Sequence, residues 1–400
     1  MSFPFFVSCR RSRAWRRNTA ASLHSLVTCV VCFLIFLMVY IPSGLHPTAD
    51  IHTTQGRTTK QPHDLVTVLA HSVKEDQVKV APWWDGGGGC RCAGEVCLPH
   101  AYNISEAAPS VDWDGVGGTC GRRAWAAGDG QRVVTLSLYG DNPEYWVGLH
   151  DILLQVKRLY PGWVVRLYTD PRGRGSVLCP LLRDHTHLYV CDITGLPPPL
   201  GDLSLVNGMM WRIAPLGDPQ VAGMMVRDTD SKIIRRETEA VNAWWSTGQM
   251  FHIMRDHPKH DFPILGGLWG ARWDHGGGGG EGAAREEVEE EEEEEVVVDA
   301  RQLAAFRDDM LRRALKGRGY GDDQNILAEV LWPAMQGRVV THDSYWCQEY
   351  ENDTLPWPTQ RVDGRFVGYR RFKKKFEDEK IPDKCPSRCR PPGHHDWLYC

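Results

Sequence analysis

The sequence lacks several features that would point to particular classes of protein. Outside the N-terminal segment, its basic residues are not gathered on any one predicted helix or strand, which argues against nucleic-acid binding. Neither Cys90-x-Cys92 nor Cys385-x₃-Cys389 belongs to a paired two-by-two spacing, which argues against a structural zinc site. No small-residue cleavage site follows the N-terminal apolar segment, which argues against a removable signal peptide.

The first 41 residues predict a single-pass membrane anchor. Residues 1–22 form a cytosolic tail with a basic cluster, and residues 23–41 form an uncharged apolar segment. Nineteen helical residues reach about 28 Å, roughly the hydrocarbon thickness of a thin bilayer such as that of the early secretory pathway. Because arginines stay on the cytosolic side, the remainder of the chain is expected in the lumen of the endoplasmic reticulum or Golgi, in a type II orientation.

The cysteine content agrees with a lumenal address. Thirteen cysteines are present, and ten of them follow the anchor: Cys90, Cys92, Cys97, Cys120, Cys179, Cys191, Cys347, Cys385, Cys389 and Cys400. An even number in an oxidising compartment predicts disulfides, whose connectivity the sequence leaves open. The tripeptides that begin at Asn103 and Asn352 are predicted sites of N-glycosylation.

Composition divides the lumenal part into three regions. Residues 42–131 are rich in Gly, Pro, Thr and His and predict a stem with a small cystine-tied segment. Residues 132–370 carry the periodic patterns of a folded domain, and residues 371–400 form a cystine-containing tail. Within the domain, residues 275–298 hold ten glutamates and one arginine, so without them the net charge is plus four rather than minus five. A block of like charges resists packing, which predicts a disordered insertion.

The folded region predicts an α/β domain with a parallel sheet. Apolar, β-branched segments begin near Arg132, Trp163, Val221, Phe251 and Arg338, and amphipathic helical patterns separate several of them. Strands that alternate with helices form βαβ units, in which ligands bind beyond the carboxyl ends of the strands. The ends of the strands that begin near Arg132 and Val221 are therefore expected to face one cleft.

A metal site is predicted at the end of the strand that begins at Val221. That apolar strand ends in Arg227-Asp228-Thr229-Asp230-Ser231, so two carboxylates reach the rim of the sheet. Such a pair suits Mg²⁺ or Mn²⁺, which prefer oxygen ligands and keep positions open for water and phosphate. His342, at the end of a later strand, is a candidate third ligand. His257 and His260 could also bind a metal, but a polar surface or acceptor contact is the preferred interpretation.

The order of the motifs resembles nucleotide-sugar-dependent glycosyltransferases of the GT-A type. This resemblance rests on the combination of the anchor, the stem and the strand ends SLYGD and RDTDS. More narrowly, the chain contains what look like successive blocks of an uncharacterised glycosyltransferase-like family: SLYGDNPEYWVG, YPGWVVRLYTD, MMWRIAP, RDTDS, FHIMRDHP, PILGGLWG, GDDQ, HDSY and PWPTQR. The resemblance spans about residues 133–369 and is interrupted by the glutamate-rich insertion. It implies a Rossmann-like sheet with flanking helices, a nucleotide-sugar donor with a UDP-sugar as the expected form, and a glycan or glycoprotein acceptor.

The resemblance also implies roles for individual residues. Asp230 would bind the Mn²⁺ or Mg²⁺ directly, Asp228 would contact metal-bound water or the donor ribose, and His342 would complete the metal shell. Leu138, Tyr139, Gly140 and Asp141 would line the nucleotide base pocket. Arg212 and Arg227 would contact phosphate, because a guanidinium fork matches phosphate oxygens.

An inverting reaction would further need a carboxylate base, for which Asp256 and Asp323 are both candidates. Two other functions are compatible with the same residues. One is a non-catalytic lumenal binding or scaffold protein with the same fold, and the other is a different metal-dependent phosphate enzyme.

Overall fold

The computed structural model describes residues 82–85, 89–94, 96–99, 113–273, 299–315, 319, 321–350, 354–370, 381 and 383–400. The predicted cytosolic tail, membrane anchor and Gly/Glu-rich insertion lie outside these residues, as do Asn103 and Asn352, and their assignments stay predictions. Among the described residues, no helix is both long and apolar enough to cross a membrane.

An eight-stranded mixed sheet forms the centre of the described fold. Its strands are β3 (Gln131–Ser137), β4 (Val164–Thr169), β5 (Leu188–Asp192), β6 (Val221–Val226), β7 (Phe251–Arg255), β8 (Trp269–Arg272), β9 (Val339–Asp343) and β10 (Thr354–Leu355). Their order across the sheet is β10-β9-β7-β8-β6-β3-β4-β5. A separate hairpin pairs β1 (Cys90–Ala93) with β2 (Val96–Pro99).

The predicted parallel sheet is confirmed except at β8. Strand β8 pairs antiparallel with β6 and β7, whereas all other pairs in the sheet are parallel. Strand β8 was not among the predicted strands. It is antiparallel because the chain between β7 and β8 contains no helix, and a return without a crossover helix gives an antiparallel strand. The carboxyl ends of the other strands therefore lie at the same end of the sheet, and the chain enters β8 from that end.

The strand order reverses between β3 and β6. From β3 the chain moves outward through β4 and β5, then returns to form β6 on the other side of β3. In open α/β sheets such a switch point leaves a crevice beyond the carboxyl ends of the two strands. The ends of β3 and β6 are thus where the fold favours a ligand site.

Helices cover both faces of the sheet. They are α1 (Arg122–Trp125), α2 (Pro143–Leu159), α3 (Gly175–Asp184), α4 (Arg235–Thr247), α5 (Ala300–Ala314), α6 (Asp322–Val330) and α7 (Trp332–Met335). One core contains apolar residues of α2, α3 and α4, and the other contains those of α1, α5, α6 and α7. Along β6, Met224 and Val226 enter one core and Met225 the other, as the alternation of a strand requires.

Local signals in the sequence set several helix ends. The side chain of Asn142 accepts a hydrogen bond from the Glu144 backbone N–H at 3.0 Å, and Pro143 occupies the first helical position of α2. At the other end of α4, Gly248 takes a left-handed conformation with φ of 79°. These features explain why α2 begins at Pro143 and why α4 ends at Thr247.

Five disulfides join the ten cysteines that follow the predicted anchor. The pairs are Cys90–Cys179, Cys92–Cys97, Cys120–Cys191, Cys347–Cys389 and Cys385–Cys400. The predicted use of these cysteines is confirmed, and the structure supplies the connectivity. Cys90 and Cys120 fasten parts of the predicted stem to α3 and β5, so the stem is tied to the sheet domain at two points.

Candidate active site

A cleft of about 610 Å³ lies beyond the carboxyl ends of β3, β6 and β7. Its volume falls in the range of small-molecule binding sites. It is lined by residues that follow those three strands, by Arg212, by the turn that enters β8, by the start of α6 and by alternate residues of the segment 366–370. The carboxylates Asp228 and Asp230 both line it, and so do Leu138 and Tyr139 from the end of β3.

Contacts inside the fold fix the segment that carries Asp228 and Asp230. Arg227 is almost fully buried, and its Nε donates to Glu237 Oε1 of α4 at 2.7 Å. The Ser231 N–H donates to the Asp228 carbonyl at 3.3 Å, which closes a turn after the strand. Arg227 is not among the residues that line the cleft. The structure therefore gives it a contact inside the fold and does not bring it to the place of the predicted phosphate contact.

Arg212 joins two carboxylates of the cleft. Its Nη1 contacts Asp228 Oδ1, and its Nη2 donates to Asp323 Oδ2 at 3.0 Å. The guanidinium is nearly inaccessible to solvent, whereas the Asp228 side chain is 37% exposed. Asp228 therefore presents one oxygen to Arg212 and keeps an accessible face toward the cleft.

Two adjacent glycines make room for this arrangement. A Cβ at Gly266 would lie 2.1 Å from Asp323 Oδ2, and a Cβ at Gly267 would lie 2.4 Å from Asp228 Oδ2. Both distances are far below van der Waals contact, so no larger residue fits without displacing a carboxylate. At both glycines the backbone therefore lies directly against a carboxylate side chain of the cleft.

The charges in the cleft shift the pKa values of the two bridged carboxylates in opposite directions. Burial opposes ionisation of Asp228, but the charge of Arg212 outweighs it, and the pKa of Asp228 lies below its usual value. Burial raises the pKa of Asp323; Arg212 partly offsets this, and the negative charge of Asp228 adds to the rise. Asp323 is thus the more basic of the two carboxylates.

The two candidate bases lie in different environments. Asp323 lines the cleft at the start of α6. Asp256 is fully buried and does not line the cleft, and both of its oxygens are engaged by Arg236, Arg361, Ser344 and the Val367 N–H. Burial would raise the pKa of Asp256, but Arg236 and Arg361 hold it well below its usual range. Geometry therefore separates two residues between which the sequence did not choose.

The first strand end contributes two of its four predicted residues to the cleft. Leu138 and Tyr139 line it, and the Tyr139 ring packs edge-on against Trp211 with ring centroids 5.7 Å apart. Gly140 and Asp141 do not line it. The Gly140 carbonyl accepts from Trp146 Nε1 at 3.0 Å, and Asp141 pairs with Arg174.

His342 lies in the core, away from the residues that line the cleft. It is 1% exposed, and its Nδ1 is 2.8 Å from His252 Nε2. Burial lowers the pKa of His342 to about 3, with a further contribution from Arg236 that Asp256 partly offsets. The structure does not bring this residue to Asp228 and Asp230, because the end of β9 lies beyond β7, away from β6.

The opposite wall of the cleft contains His257 and His260. Both line the cleft and pack against Phe366, with ring centroids 4.5 and 5.9 Å away. Burial lowers the pKa of His257, and burial together with His257 lowers that of His260 to about 3. Near neutral pH these rings are therefore uncharged polar groups rather than cations for a phosphate.

Arg370 is a cleft residue that the sequence interpretation missed. It pairs with Ser231 in an isolated antiparallel bridge, and its Nε lies 3.7 Å from Asp230 Oδ2. The sequence places it at the start of a basic tail, about 140 positions after Asp230, and no local pattern indicates such a contact. Only the chain path that returns residues 366–370 to the end of β6 brings them together.

The donor set fits one mode of divalent-cation binding. No group of three or more His, Cys, Asp or Glu residues that could enclose a metal occurs in the described part of the chain. Asp228 and Asp230 nevertheless both reach the cleft, and Mg²⁺ is commonly held by one or two carboxylates together with water and substrate phosphates. The residues suit a cation that arrives with a phosphate ligand.

Comparisons with known proteins add little to this geometry. No family model and no curated protein matches the sequence. Among solved structures, the chain is similar to the crystal structure of a glycosyltransferase involved in the glycosylation of the major capsid of PBCV-1, with a TM-score of 0.31 and 10% identity. The match covers 54% of this chain and 82% of that one. A TM-score at that level carries no argument, so function has to be inferred from the site.

Proposed function

We propose that this protein is a nucleotide-sugar-dependent glycosyltransferase anchored in the Golgi or endoplasmic reticulum membrane. It would transfer a sugar from a nucleoside-diphosphate donor, with UDP-sugars tested first, to a lumenal glycan, glycolipid or glycoprotein. The observation that carries the proposal is the position of Asp228 and Asp230 in a cleft at the switch point of an α/β sheet.

The charge balance of the cleft supports a donor that brings a cation. Four carboxylates line it, against three basic side chains: Asp228, Asp230, Asp261 and Asp323, with Arg212, Lys259 and Arg370. A diphosphate alone would enter a site that already carries net negative charge. Mn²⁺ or Mg²⁺ held by Asp228 and Asp230 would offset that charge and, as a Lewis acid, favour departure of the diphosphate.

Residues of the chain would supply binding and orientation. Tyr139 and Leu138 offer an aromatic and apolar wall to the nucleoside, beside the carboxylates of the β6 end. Arg212 holds Asp228 and Asp323 in fixed positions, and the backbone of Gly266 and Gly267 closes against them. Fixed positions matter because a displacement of about 1 Å at a reacting group can cost on the order of 100-fold in rate.

Asp323 is the carboxylate that we assign to proton transfer if the reaction inverts configuration. The acceptor oxygen would bond to the anomeric carbon while the bond from that carbon to the diphosphate oxygen breaks, its electron pair leaving with the diphosphate. The hydroxyl proton would pass to Asp323. Its raised pKa suits a base, whereas the carboxylate of Asp256 is fully engaged inside the fold.

The test measures release of nucleoside diphosphate by the purified full-length protein across a panel of nucleotide sugars, with and without Mn²⁺. We expect metal-dependent release with at least one donor, and a loss of about 100-fold or more in the double variant Asp228→Asn with Asp230→Asn. The matched control is Asp112→Asn with Asp114→Asn, which alters the other Asp-x-Asp triplet of the chain.

Three outcomes separate this proposal from its rivals. No turnover with any donor in Mn²⁺ would rule the proposed activity out. Donor binding that persists in the double variant, with no turnover in either form, would instead indicate a binding or scaffold protein. Cleavage of the donor between its phosphorus atoms would indicate a different phosphate-transfer enzyme.

A further inference from the structure

Two buried oxygen atoms at the start of α6 have no hydrogen-bond partner among the described residues. They are Oδ1 of Asp323 and Oε1 of Gln324, and both residues line the cleft. Asp323 is 1% exposed, and its other oxygen is the one that accepts from Arg212. The nearby backbone N–H of Gln324 donates to the Gly321 carbonyl at 3.1 Å, so it does not satisfy Oδ1.

Such atoms are uncommon in folded proteins, because a buried acceptor without a partner loses its hydrogen bonds to water and gains none. The neighbouring residues do not supply a partner for Oδ1 of Asp323. Gly266 lies so close to Asp323 that no side chain could be placed there, and Arg212 is already shared between Asp323 and Asp228. No residue in the described part of the chain supplies the missing partner, and a ligand bound in the cleft can supply it.

The chemistry of the two atoms restricts the partner. A carboxylate oxygen that is ionised can only accept, and the amide oxygen of Gln324 can only accept. A phosphate group at the same place would meet the charge of Asp323, which excludes the diphosphate from this end of the cleft. The partner must donate two hydrogen bonds to neighbouring positions on one helical turn.

We propose that Asp323 and Gln324 bind two hydroxyl groups of one sugar ring, so that the start of α6 is the carbohydrate-recognition element of the cleft. This inference rests on the proposed transferase activity and names the residues that determine sugar specificity. The two possible sources of the ring share the same hydroxyl chemistry. An acceptor ring would include the hydroxyl whose proton passes to Asp323, whereas a donor ring would occupy Oδ1 and leave the role of base to another group. Gln324 is the specificity residue, since it has no other role in the proposed reaction.

The experiment uses the full-length protein and two arms. In the donor arm, hydrolysis of UDP-hexoses and of their monodeoxy analogues is measured as release of nucleoside diphosphate in the absence of an acceptor. In the acceptor arm, transfer to methyl hexopyranosides and their singly deoxygenated analogues is measured. The variants are Gln324→Met, which keeps the shape and removes the acceptor, and Gln324→Glu, which keeps an acceptor oxygen. Asn325→Ala, an exposed change on the same helix, is the control.

Gln324→Met should affect one of the two arms, donor or acceptor. In that arm it should raise KM about tenfold for the sugar that carries the recognised hydroxyl, with a smaller effect on kcat. For the analogue that lacks this hydroxyl, KM should be the same in the variant and the wild type. Gln324→Glu should restore part of the preference, and the control should leave both arms unchanged. The arm that responds identifies whether the ring is that of the donor or the acceptor.

The inference is overturned if wild-type protein turns over a donor but Gln324→Met changes neither arm, or if it weakens all sugars and their deoxy analogues equally. Equal weakening would mean a structural role for Gln324. If wild-type protein releases no diphosphate from any donor, the proposed function fails first. The two failures are therefore distinguishable.

Discussion

The close packing of Gly266 against Asp323 leads to a prediction about stability and function together. Gly266→Ala places a methyl group 2.1 Å from Asp323 Oδ2 and 2.7 Å from Arg212 Nη2. Ordinary contact begins near 3.4 Å, so the carboxylate would have to move by roughly 1 Å. Asp323 has little room to do so, because its side chain is 2% exposed and its partner Arg212 is 5% exposed.

The structure allows the size of the effect to be ranked. Overpacking of a buried site costs about 1–3 kcal/mol, and we expect Gly266→Ala near the upper end of that range. Gly267→Ala collides with Asp228, whose side chain is 37% exposed and can swing toward solvent, so its cost should lie near the lower end. Gly195→Ala is the matched control, because an added Cβ there meets nothing within 4 Å.

The assays are urea unfolding monitored by circular dichroism, and diphosphate release from the donor that the wild type uses. Gly195→Ala should leave both unchanged or raise stability by about 0.4–1 kcal/mol. Gly266→Ala and Gly267→Ala should both lose on the order of 100-fold in turnover, because both displace a cleft carboxylate. If Gly266→Ala equals wild type in stability and turnover, the packing of this wall is not as described and the reasoning fails.

Two further predictions concern residues that the structure places outside the cleft. Asp256→Asn leaves buried Arg236 and Arg361 without their counter-charge and should lower the unfolding free energy in urea by about 3–5 kcal/mol. Asp309 is half-buried and pairs with partly exposed Arg313, so Asp309→Asn should cost no more than about 1 kcal/mol. Unchanged stability of Asp256→Asn with lost turnover would make Asp256 the base after all. For His342 the folded-state pKa of about 3 lies below the ordinary value of 6.5, so folding favours the neutral ring. The contribution of this neutral ring to stability is complete above pH 6.5 and is lost as the pH falls toward 3. The unfolding free energy should therefore fall by about 1.4 kcal/mol for this residue between about pH 8 and 5.5. His342→Gln should reduce that pH dependence, and a pH dependence equal to that of the wild type would contradict the assignment.

Short-range patterns in the sequence were enough to predict most elements of the fold. The apolar segment Val221–Val226 matched β6 at both ends, because a fully buried strand is marked by a continuous apolar run that stops at the first charged residue. The Asn142-Pro143 start of α2 and the Gly248 end of α4 are local backbone effects, so they too can be read from the chain. Strand β8 was missed because its four residues, WGAR, show no strand pattern, and its pairing with β6 and β7 depends on the path of residues 256–268.

Within the site, the sequence identified which residue types matter and the tertiary structure decided where they act. Asp228, Asp230, Arg212 and Asp323 were named from the chain, and all four line the cleft. The same reasoning named Arg227, Asp256 and His342, which equally follow or end strands but have partners inside the fold. A strand-end position therefore does not distinguish a side chain that points into a cleft from one that is buried.

The difference has a physical cause. Whether a carboxylate faces ligand or a buried arginine depends on contacts between residues that lie far apart in the chain, such as Arg212 with Asp323, Arg361 with Asp256 and Arg370 with Ser231. These contacts are set by strand order and by the return of the chain after β10, and no local periodicity encodes either. The sequence by itself determined the elements of the domain and the chemical types at its predicted site, and only the tertiary structure decided which of those side chains share one cleft.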